Sequence, residues 1–260
     1  MLKNEFKVYR GTITVTSNNL GECIDYINSN KIKSVYICQF YYQDNNLNFL
    51  EKCPEVSEIN INNSQINNID ALYSQNNLKS LILQDISCNV DMSRFDGLES
   101  FSGTWNKNYE NLDKQNKIKH LNLSNYNPKL KNLSELVKFS ELETLELVNS
   151  TIQTLAGIER LINLNSLKLY FLKNLTSIKD LEYSNNIKEL MIEGCKKIED
   201  YNSLEKVRKL SKITILNCGC IENIRFVDSL EEIDYFVCLK TKIKEDSFLP
   251  QKRIEYFDVE

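Results

Sequence analysis

A short apolar motif that recurs in phase along most of the chain is the strongest constraint on its fold. The motif is apolar-x-x-apolar-x-apolar, as in Leu142, Leu145 and Leu147. It fits neither a helical period nor a plain strand alternation, and it predicts a short strand followed by a turn and a return segment. Copies begin 20 to 24 residues apart, at Ile32, Val56, Leu78, Leu98, Ile118, Leu142, Leu164, Ile187, Leu210, Leu230 and Ile254. A fixed period of this length indicates a stacked repeat architecture.

Each motif predicts one strand of a parallel sheet with two side chains turned inward. A single repeat has too little apolar surface to form a core, whereas stacked neighbours bury one continuous core. With strands about 4.8 Å apart, ten steps give a sheet of roughly 48 Å. Helical spacing at Leu130, Leu133 and Leu136, and at Leu47 and Leu50, predicts short helices opposite the sheet.

Residues 1–31 lie outside this pattern and are predicted to cap the stack. An alternating segment around Arg10 and Gly11 predicts one or two strands, and residues 20–28 predict a short helix. A cap covers the apolar end and the strand edge that a first repeat leaves bare. We therefore expect a cap over 1–31 and one continuous repeat domain over 32–260.

The repeats resemble the leucine-rich repeat superfamily, in particular the short repeats of internalins and phosphatase-regulating proteins. The resemblance covers residues 32–259. It implies an α/β fold, a right-handed solenoid with a curved parallel sheet on its concave side and short helices, 3-10 turns and loops on its convex side. It also implies a polar ladder at the ninth position of each repeat, occupied here by Ser64, Asn106, Ser150, Cys195, Cys218 and Cys238, and interrupted at Ile86, Tyr126 and Leu172.

No arrangement of side chains in the sequence predicts catalysis or a cofactor. Cys218 and Cys220 have the spacing of half a metal site, but zinc sites usually show two such pairs or a pair with histidine. The only histidine, His120, is far away in sequence. Structural thiols and a metal or redox pair both remain open. We expect a protein without enzymatic activity, metal or cofactor.

The composition of the chain indicates which class of partner and which cellular compartment to expect. The formal net charge is -4, from 36 acidic and 32 basic residues, which argues against a nucleic-acid partner. No apolar run approaches the roughly 18 residues of a membrane span, so no membrane association is expected. The N-terminal segment lacks the apolar region of an export signal. We expect a cytoplasmic location with reduced cysteines.

The outward side of the predicted sheet is the candidate functional surface. Positions three, five, seven and eight of each repeat point away from the core, and from the sixth repeat onward they become apolar and aromatic. Such side chains are enriched at the centres of protein interfaces, although packing beneath a C-terminal loop is an alternative. The candidate protein-binding residues are Trp105, Glu146, Val148, Tyr170, Phe171, Met191, Glu193, Leu216, Asp234, Phe236 and Val237.

The same face carries an excess of acidic residues in its C-terminal half. Acidic side chains outnumber the two lysines, Lys168 and Lys212. This balance favours a basic partner, which it would steer during encounter. The alternative is that short acidic side chains only keep a wide sheet soluble. The acidic set is Glu146, Glu189, Glu193, Glu232, Asp234, Asp258 and Glu260.

These observations predict a protein-binding module that recognises another protein through its concave face. The chain resembles small leucine-rich repeat proteins that serve as cytosolic immunity partners of toxins, which implies a basic toxin as the target. The alternative is a regulatory scaffold that modulates a host enzyme such as a phosphatase. A repeat-bearing enzyme and a surface adhesin are less well supported. The sequence leaves the oligomeric state open.

Overall fold

A computed structural model describes residues 6–184, 186–245, 250–251 and 253–259. These residues form two compact units, one up to Ile118 and one from Lys119 onward. The division into a cap over 1–31 and a repeat domain over 32–260 stays a prediction.

The first unit is a sheet of mainly parallel strands preceded by a hairpin and a helix. Its hairpin turns at Arg10 and Gly11, both with positive φ, and the second hairpin strand pairs in parallel with the strand at Ser34. Short 3-10 helices cover Asn48–Lys52, Met92–Arg94 and Leu112–Lys114. The strands and helices are β1 (Val8–Tyr9), β2 (Thr12–Thr14), α1 (Leu20–Asn30), β3 (Ser34–Cys38), β4 (Glu58–Asn62), α2 (Asp70–Tyr73), β5 (Ser80–Gln84), β6 (Val90–Asp91), β7 (Ser100–Thr104) and β8 (Tyr109–Glu110).

In its described residues, the second unit is a regular stack of seven parallel strands. Within the described residues of this unit, each strand pairs in parallel with the next one along the chain. The turns between strands carry 3-10 helices at Ser134–Lys138, Ile158–Arg160, Lys179–Tyr183 and Tyr201–Lys206. The elements are β9 (His120–Ser124), β10 (Thr144–Val148), β11 (Ser166–Tyr170), β12 (Glu189–Glu193), β13 (Lys212–Leu216), α3 (Phe226–Ser229), β14 (Tyr235–Leu239) and β15 (Tyr256–Val259).

Two columns of apolar side chains build the core of the second unit. Leu145 pairs with Leu121 and Leu167, and Leu147 pairs with Leu123 and Leu169, so identical positions stack from strand to strand. All of them are fully buried or nearly so. Each buried leucine contributes about 1.5–3 kcal/mol relative to an exposed one. The predicted α/β fold with parallel strands and short convex-side helices is confirmed.

The register of the tenth repeat differs from the one predicted. Leu230, Ile233 and Phe236 lie three residues apart, so the apolar pattern allows two registers. In the structure Phe236 pairs with Ile213 of the core column, and its side chain is 0% exposed. The motif therefore starts at Ile233 rather than at Leu230. Placing Phe236 in the core brings its ring against two other phenylalanines, which decides the choice.

Each strand from β9 to β14 is followed by a residue of left-handed conformation. Asn125, Asn149 and Asn217 occupy this turn position with φ near +50°. Asparagine tolerates positive φ better than most residues because its short side chain bonds locally. The turn reverses the chain sharply after the sheet, so the last strand residue and the turn residue lie together at one edge.

Candidate protein-binding surface

A row of outward side chains follows the C-terminal ends of five neighbouring strands. Backbone register pairs Val148 with Tyr170, Tyr170 with Glu193, Glu193 with Leu216, and Leu216 with Leu239. We call these five residues the edge row. All five are half-buried, so each presents part of its surface to solvent. Adjacent strands lie about 4.8 Å apart, so the edge row forms one continuous strip.

Tyr170 is the centre of this strip. Its hydroxyl lies 3.1 Å from the sulfur of Met191, which projects from the next strand. Burial raises the pKa of the Tyr170 hydroxyl above its ordinary value, and the carboxylates of Glu146, Glu193 and Glu189 raise it further. The phenol therefore stays protonated at neutral pH. The site thus combines a hydrogen-bonding aromatic ring with nearby negative charge.

Phe171 occupies the turn position where the neighbouring strands use asparagine or glycine. Its φ is +58°, a conformation that is unusual for a bulky residue, and its side chain is 41% exposed. The ring lies over Gly194, and a Cβ added to that glycine would stand 2.4 Å from Cδ1 of Phe171. Gly194, itself at φ +68°, thus provides the space that holds the ring beside the edge row.

Acidic groups on this face differ in how far they are neutralised. Glu189 accepts a hydrogen bond from Ser166 and lies 3.0 Å from Lys212 and 4.0 Å from Lys168. Burial raises its pKa, but these three partners outweigh burial and the net pKa is lowered. Glu146 accepts a hydrogen bond of 2.8 Å from the amide of Asn122. Across the described part of the chain, no ion pair within 4.0 Å neutralises Glu146 or Glu193.

Three of the predicted contact residues do not fit the predicted surface. Phe236 is a core residue, as described above. Val237 faces outward from the middle of β14, but it is only 5% exposed and offers little contact area. Asp234 lies before β14, outside the outward rows of the sheet, because of the same register change. Glu232 likewise precedes the strand, and Glu260 lies outside the described residues.

The corrected register reveals outward residues that the sequence reasoning missed. Leu239, rather than Phe236, is the edge-row member of β14. Tyr235 and Tyr256 also face outward, with stacked rings 4.9 Å apart, and Lys212 lies 5.3 Å from the Tyr235 ring. One signal in the sequence points to this register: with the motif at Ile233, the ninth position holds a polar threonine at residue 241.

Trp105 belongs to the first unit and follows β7 directly, where it is half-buried. The repeat pattern predicts apolar and aromatic outward residues only from the sixth repeat onward, and this prediction overlooks three aromatic residues of the first unit. Tyr36 is the central outward residue of β3, while Phe40 and Tyr41 follow the strand with 81% and 45% exposure. Tyr36, Phe40 and Tyr41 are therefore three additional contact candidates within the first unit.

The ninth-position side chains bond to carbonyl oxygens of their own strand or of the turn in the preceding repeat. The thiol of Cys218 lies 3.3 Å from the carbonyl oxygen of Leu216, and the hydroxyl of Ser150 donates to the carbonyl of Tyr126 at 2.8 Å. In the tenth repeat Thr241, not Cys238, has this role, donating to Leu239 at 3.2 Å. All eight cysteines are free thiols. Within the described ranges, no three His, Cys, Asp or Glu side chains are arranged to hold a metal ion.

The comparisons with known proteins agree with this geometry. Residues 130–200 match the family model of the Endo-beta-N-acetylglucosaminidase EndoS LRR domain, a span that contains β10, β11 and β12. The structure is similar to that of an internalin (inlF) from Listeria monocytogenes, with a TM-score of 0.51 and 18% identity over 74% of this chain and 70% of that one. The chain has the leucine-rich repeat fold.

Two further solved structures share this leucine-rich repeat fold. InlJ from Listeria monocytogenes, which includes a cysteine ladder, matches with a TM-score of 0.53 and 15% identity over 78% of this chain. A leucine-rich repeat protein of Leptospira interrogans matches with a TM-score of 0.52 and 16% identity over 86% of this chain. The matches span 44% and 53% of those two chains, respectively. No curated protein matches the sequence.

The leucine-rich repeat fold is typical of protein-interaction modules rather than of enzymes. Among the residues that the structure describes, no helix is long and apolar enough to cross a membrane.

Proposed function

We propose that this protein binds a partner protein through the outward face of its second unit, without catalysing a reaction. The observation that carries the proposal is the edge row, with Phe171 beside it. Tyrosine, phenylalanine and leucine side chains in and beside the edge row stay partly exposed to solvent instead of being buried in the core. Tyrosine gives a large rigid contact area with one hydrogen-bonding end, the kind of residue on which interfaces depend most.

A strained aromatic residue supports the same assignment. A left-handed conformation costs an ordinary residue about 1–2 kcal/mol, and asparagine is available to the chain at this position in other repeats. Strained residues persist where the surrounding structure enforces them, and they cluster at functional sites. Phe171 retains its ring at 41% exposure despite that cost, which favours a role in contact.

The charge pattern favours a basic partner. Glu146 and Glu193 flank Tyr170, and no described residue forms an ion pair with either of them. A lysine or arginine of the partner can therefore contact both carboxylates and the phenol oxygen. We propose that such a partner is a basic toxin, neutralised in the cytoplasm by this chain as an immunity protein. The alternative is a host enzyme, for instance a phosphatase, whose activity changes in the complex.

The test is capture of the partner by immobilised protein from a lysate of the source cells. Tyr170→Ala combined with Leu216→Ala should reduce capture at least tenfold, whereas Leu130→Ala, which removes a 67% exposed leucine outside the sheet, should leave it unchanged. Far-ultraviolet circular dichroism of each variant checks folding. Unchanged capture by the double variant contradicts the proposed surface.

The identity of the captured protein then separates the two partner classes. A basic protein whose toxicity in a co-expressing cell is relieved by this chain supports immunity. An enzyme whose rate changes on addition of the purified chain supports regulation. In either case Glu146→Gln combined with Glu193→Gln should slow association, and it should flatten the dependence of association on salt.

A further inference from the structure

Ser184 interrupts a buried column in the second unit. Three residues before the motif starts at Leu142, Leu164, Leu210 and Ile233, the chain places a buried apolar side chain. These side chains are Phe139, Leu161, Val207 and Leu230, and each is at most 2% exposed. In the repeat that begins at Ile187, this position holds serine. A serine side chain is much smaller than leucine or phenylalanine, so it leaves the column unfilled at this point.

A notch opens where the larger side chain is missing. It has a volume of about 100 Å³ and is lined in part by Ser184, Ile158, Ile162 and Tyr183. Ile162 is 65% exposed and Tyr183 is 60% exposed, so two large apolar groups flank its mouth. The volume is below the 150 Å³ of a cavity that accepts benzene, and it suits one aliphatic side chain better than a ring.

A positively charged groove adjoins the notch through Ser184. It has a volume of about 500 Å³ and is lined by Glu182, Ser184, Lys206, Arg208 and Lys209. Glu182 neutralises Lys206 at 2.7 Å, which leaves the charges of Arg208 and Lys209 in excess.

The remaining contacts of these two cations are weak or neutral. Arg208 lies 4.0 Å from Glu231, and both side chains are largely exposed, at 77% and 69%. Water and salt screen such a pair, so it contributes little. Lys209 contacts the neutral amide oxygen of Asn186 at 3.1 Å. The carboxylate of Glu159, at the far side of the notch, accepts a hydrogen bond from the backbone amide of Gly157.

We propose that the notch and groove together bind an acidic peptide segment that carries an aliphatic side chain. The aliphatic group enters the notch between Ile162 and Tyr183, while carboxylates one or two residues away contact Arg208 and Lys209. Inorganic phosphate satisfies the cations but leaves the notch empty. Nucleic-acid-binding domains are usually basic, whereas this chain is acidic overall, with a formal net charge of -4. The site lies in the turns before the strands, and its ligand is opposite in charge to the partner proposed for the edge row.

Fluorescence anisotropy with two labelled peptides tests the proposal. One is a nonapeptide of aspartate and glutamate with leucine at its centre, and the other has serine in place of that leucine. Wild-type protein should bind the leucine peptide about tenfold more tightly, because one aliphatic side chain leaves water. Raising the salt concentration should weaken both complexes. Equal affinity for the two peptides overturns the proposal.

Substitutions assign the two parts of the site separately. Arg208→Glu combined with Lys209→Glu should lower the affinity for the leucine peptide at least tenfold. As a control, Lys129→Glu combined with Lys173→Glu makes the same charge change elsewhere and should lower the affinity less than twofold. Ser184→Leu restores the side chain found in neighbouring repeats, so it should fold, fill the notch and abolish the preference for leucine. Ile162→Ser, at an exposed position, should reduce that preference without affecting folding.

Competing ligands provide the remaining outcomes. Inorganic phosphate should displace the leucine peptide only at concentrations far above the peptide dissociation constant. Phosphatidylserine vesicles should not bind at concentrations where the peptide does. Binding to the vesicles without binding to the peptide overturns the proposal in favour of a membrane surface. Insensitivity of the leucine peptide to the Arg208 and Lys209 reversals also overturns it.

Discussion

Replacing Phe236 by alanine should lower the free energy of unfolding by about 3–5 kcal/mol, the usual cost of deleting a fully buried phenylalanine side chain. The Phe236 ring is 0% exposed. Its centroid lies 5.5 Å from the stacked ring of Phe257 and 6.1 Å from that of Phe226. Alanine removes both ring contacts and leaves a cavity that a repeat stack, packed on both sides, closes only in part.

Phe171→Asn is the matched comparison, because it removes a partly exposed phenylalanine from the same unit. Asparagine relieves about 1–2 kcal/mol of left-handed strain. The ring is 41% exposed, so its loss forfeits only part of the burial energy of a phenylalanine, about 1–2 kcal/mol. The two contributions nearly cancel. The free energy of unfolding of the variant should therefore lie within about 1 kcal/mol of the wild-type value. Its affinity for the partner should fall.

Urea denaturation followed by circular dichroism measures both variants. Phe236→Ala should show a large decrease in the free energy of unfolding, and Phe171→Asn should show only a small change. The m-values should be similar because unfolding exposes nearly the same surface area in both variants. A loss below about 1 kcal/mol for Phe236→Ala would refute the core position of this residue. It would restore the register that starts at Leu230.

The thiols and the tyrosine at the surface give two further predictions. Iodoacetamide at neutral pH should modify exposed Cys220 first, whereas Cys195 and Cys238, whose pKa values burial raises to about 12, should react only after unfolding; peptide mass spectrometry reads this, and equal rates for Cys195 and Cys220 would contradict it. The pKa of Tyr170, raised by burial and by the nearby carboxylates, should fall toward its ordinary value in Glu193→Gln, as measured by NMR of labelled tyrosine with Tyr170→Phe for assignment. Because the raised pKa belongs to the folded state, the stability that this tyrosine contributes is present at neutral pH and is lost as the pH rises above about 10. An unchanged Tyr170 pKa in Glu193→Gln would show that Glu193 does not influence this hydroxyl.

The core of the second unit was predictable because its signal is local and repeated. Leu142, Leu145 and Leu147 follow the same spacing as their equivalents in neighbouring repeats, and no other strand register buries all three. The outward positions follow from the inward ones by alternation. Tyr170 and Leu216 therefore lie where the sequence places them, on the outward face of the sheet.

Other features depend on tertiary contacts that a repeat pattern does not contain. Phe236 and Tyr235 both fit an apolar motif, and the packing of Phe236 against Phe226 and Phe257 selects the register. The positive φ of Phe171 follows from the turn that its neighbours share, with Gly194 leaving room for the ring. The notch at Ser184 appears only when one position is compared across stacked repeats, because a single serine in a sequence is unremarkable.

The central claim is that the partner contacts the outward face of the second unit. Site-specific photo-crosslinking tests it most directly, with benzoylphenylalanine at Leu216 in one sample and at Leu130 in another. Leu216 belongs to the edge row, and Leu130 is 67% exposed in a turn outside the sheet. We predict that irradiation joins the captured partner to position 216 and not to position 130. Crosslinking from position 130 with none from position 216 would contradict the claim.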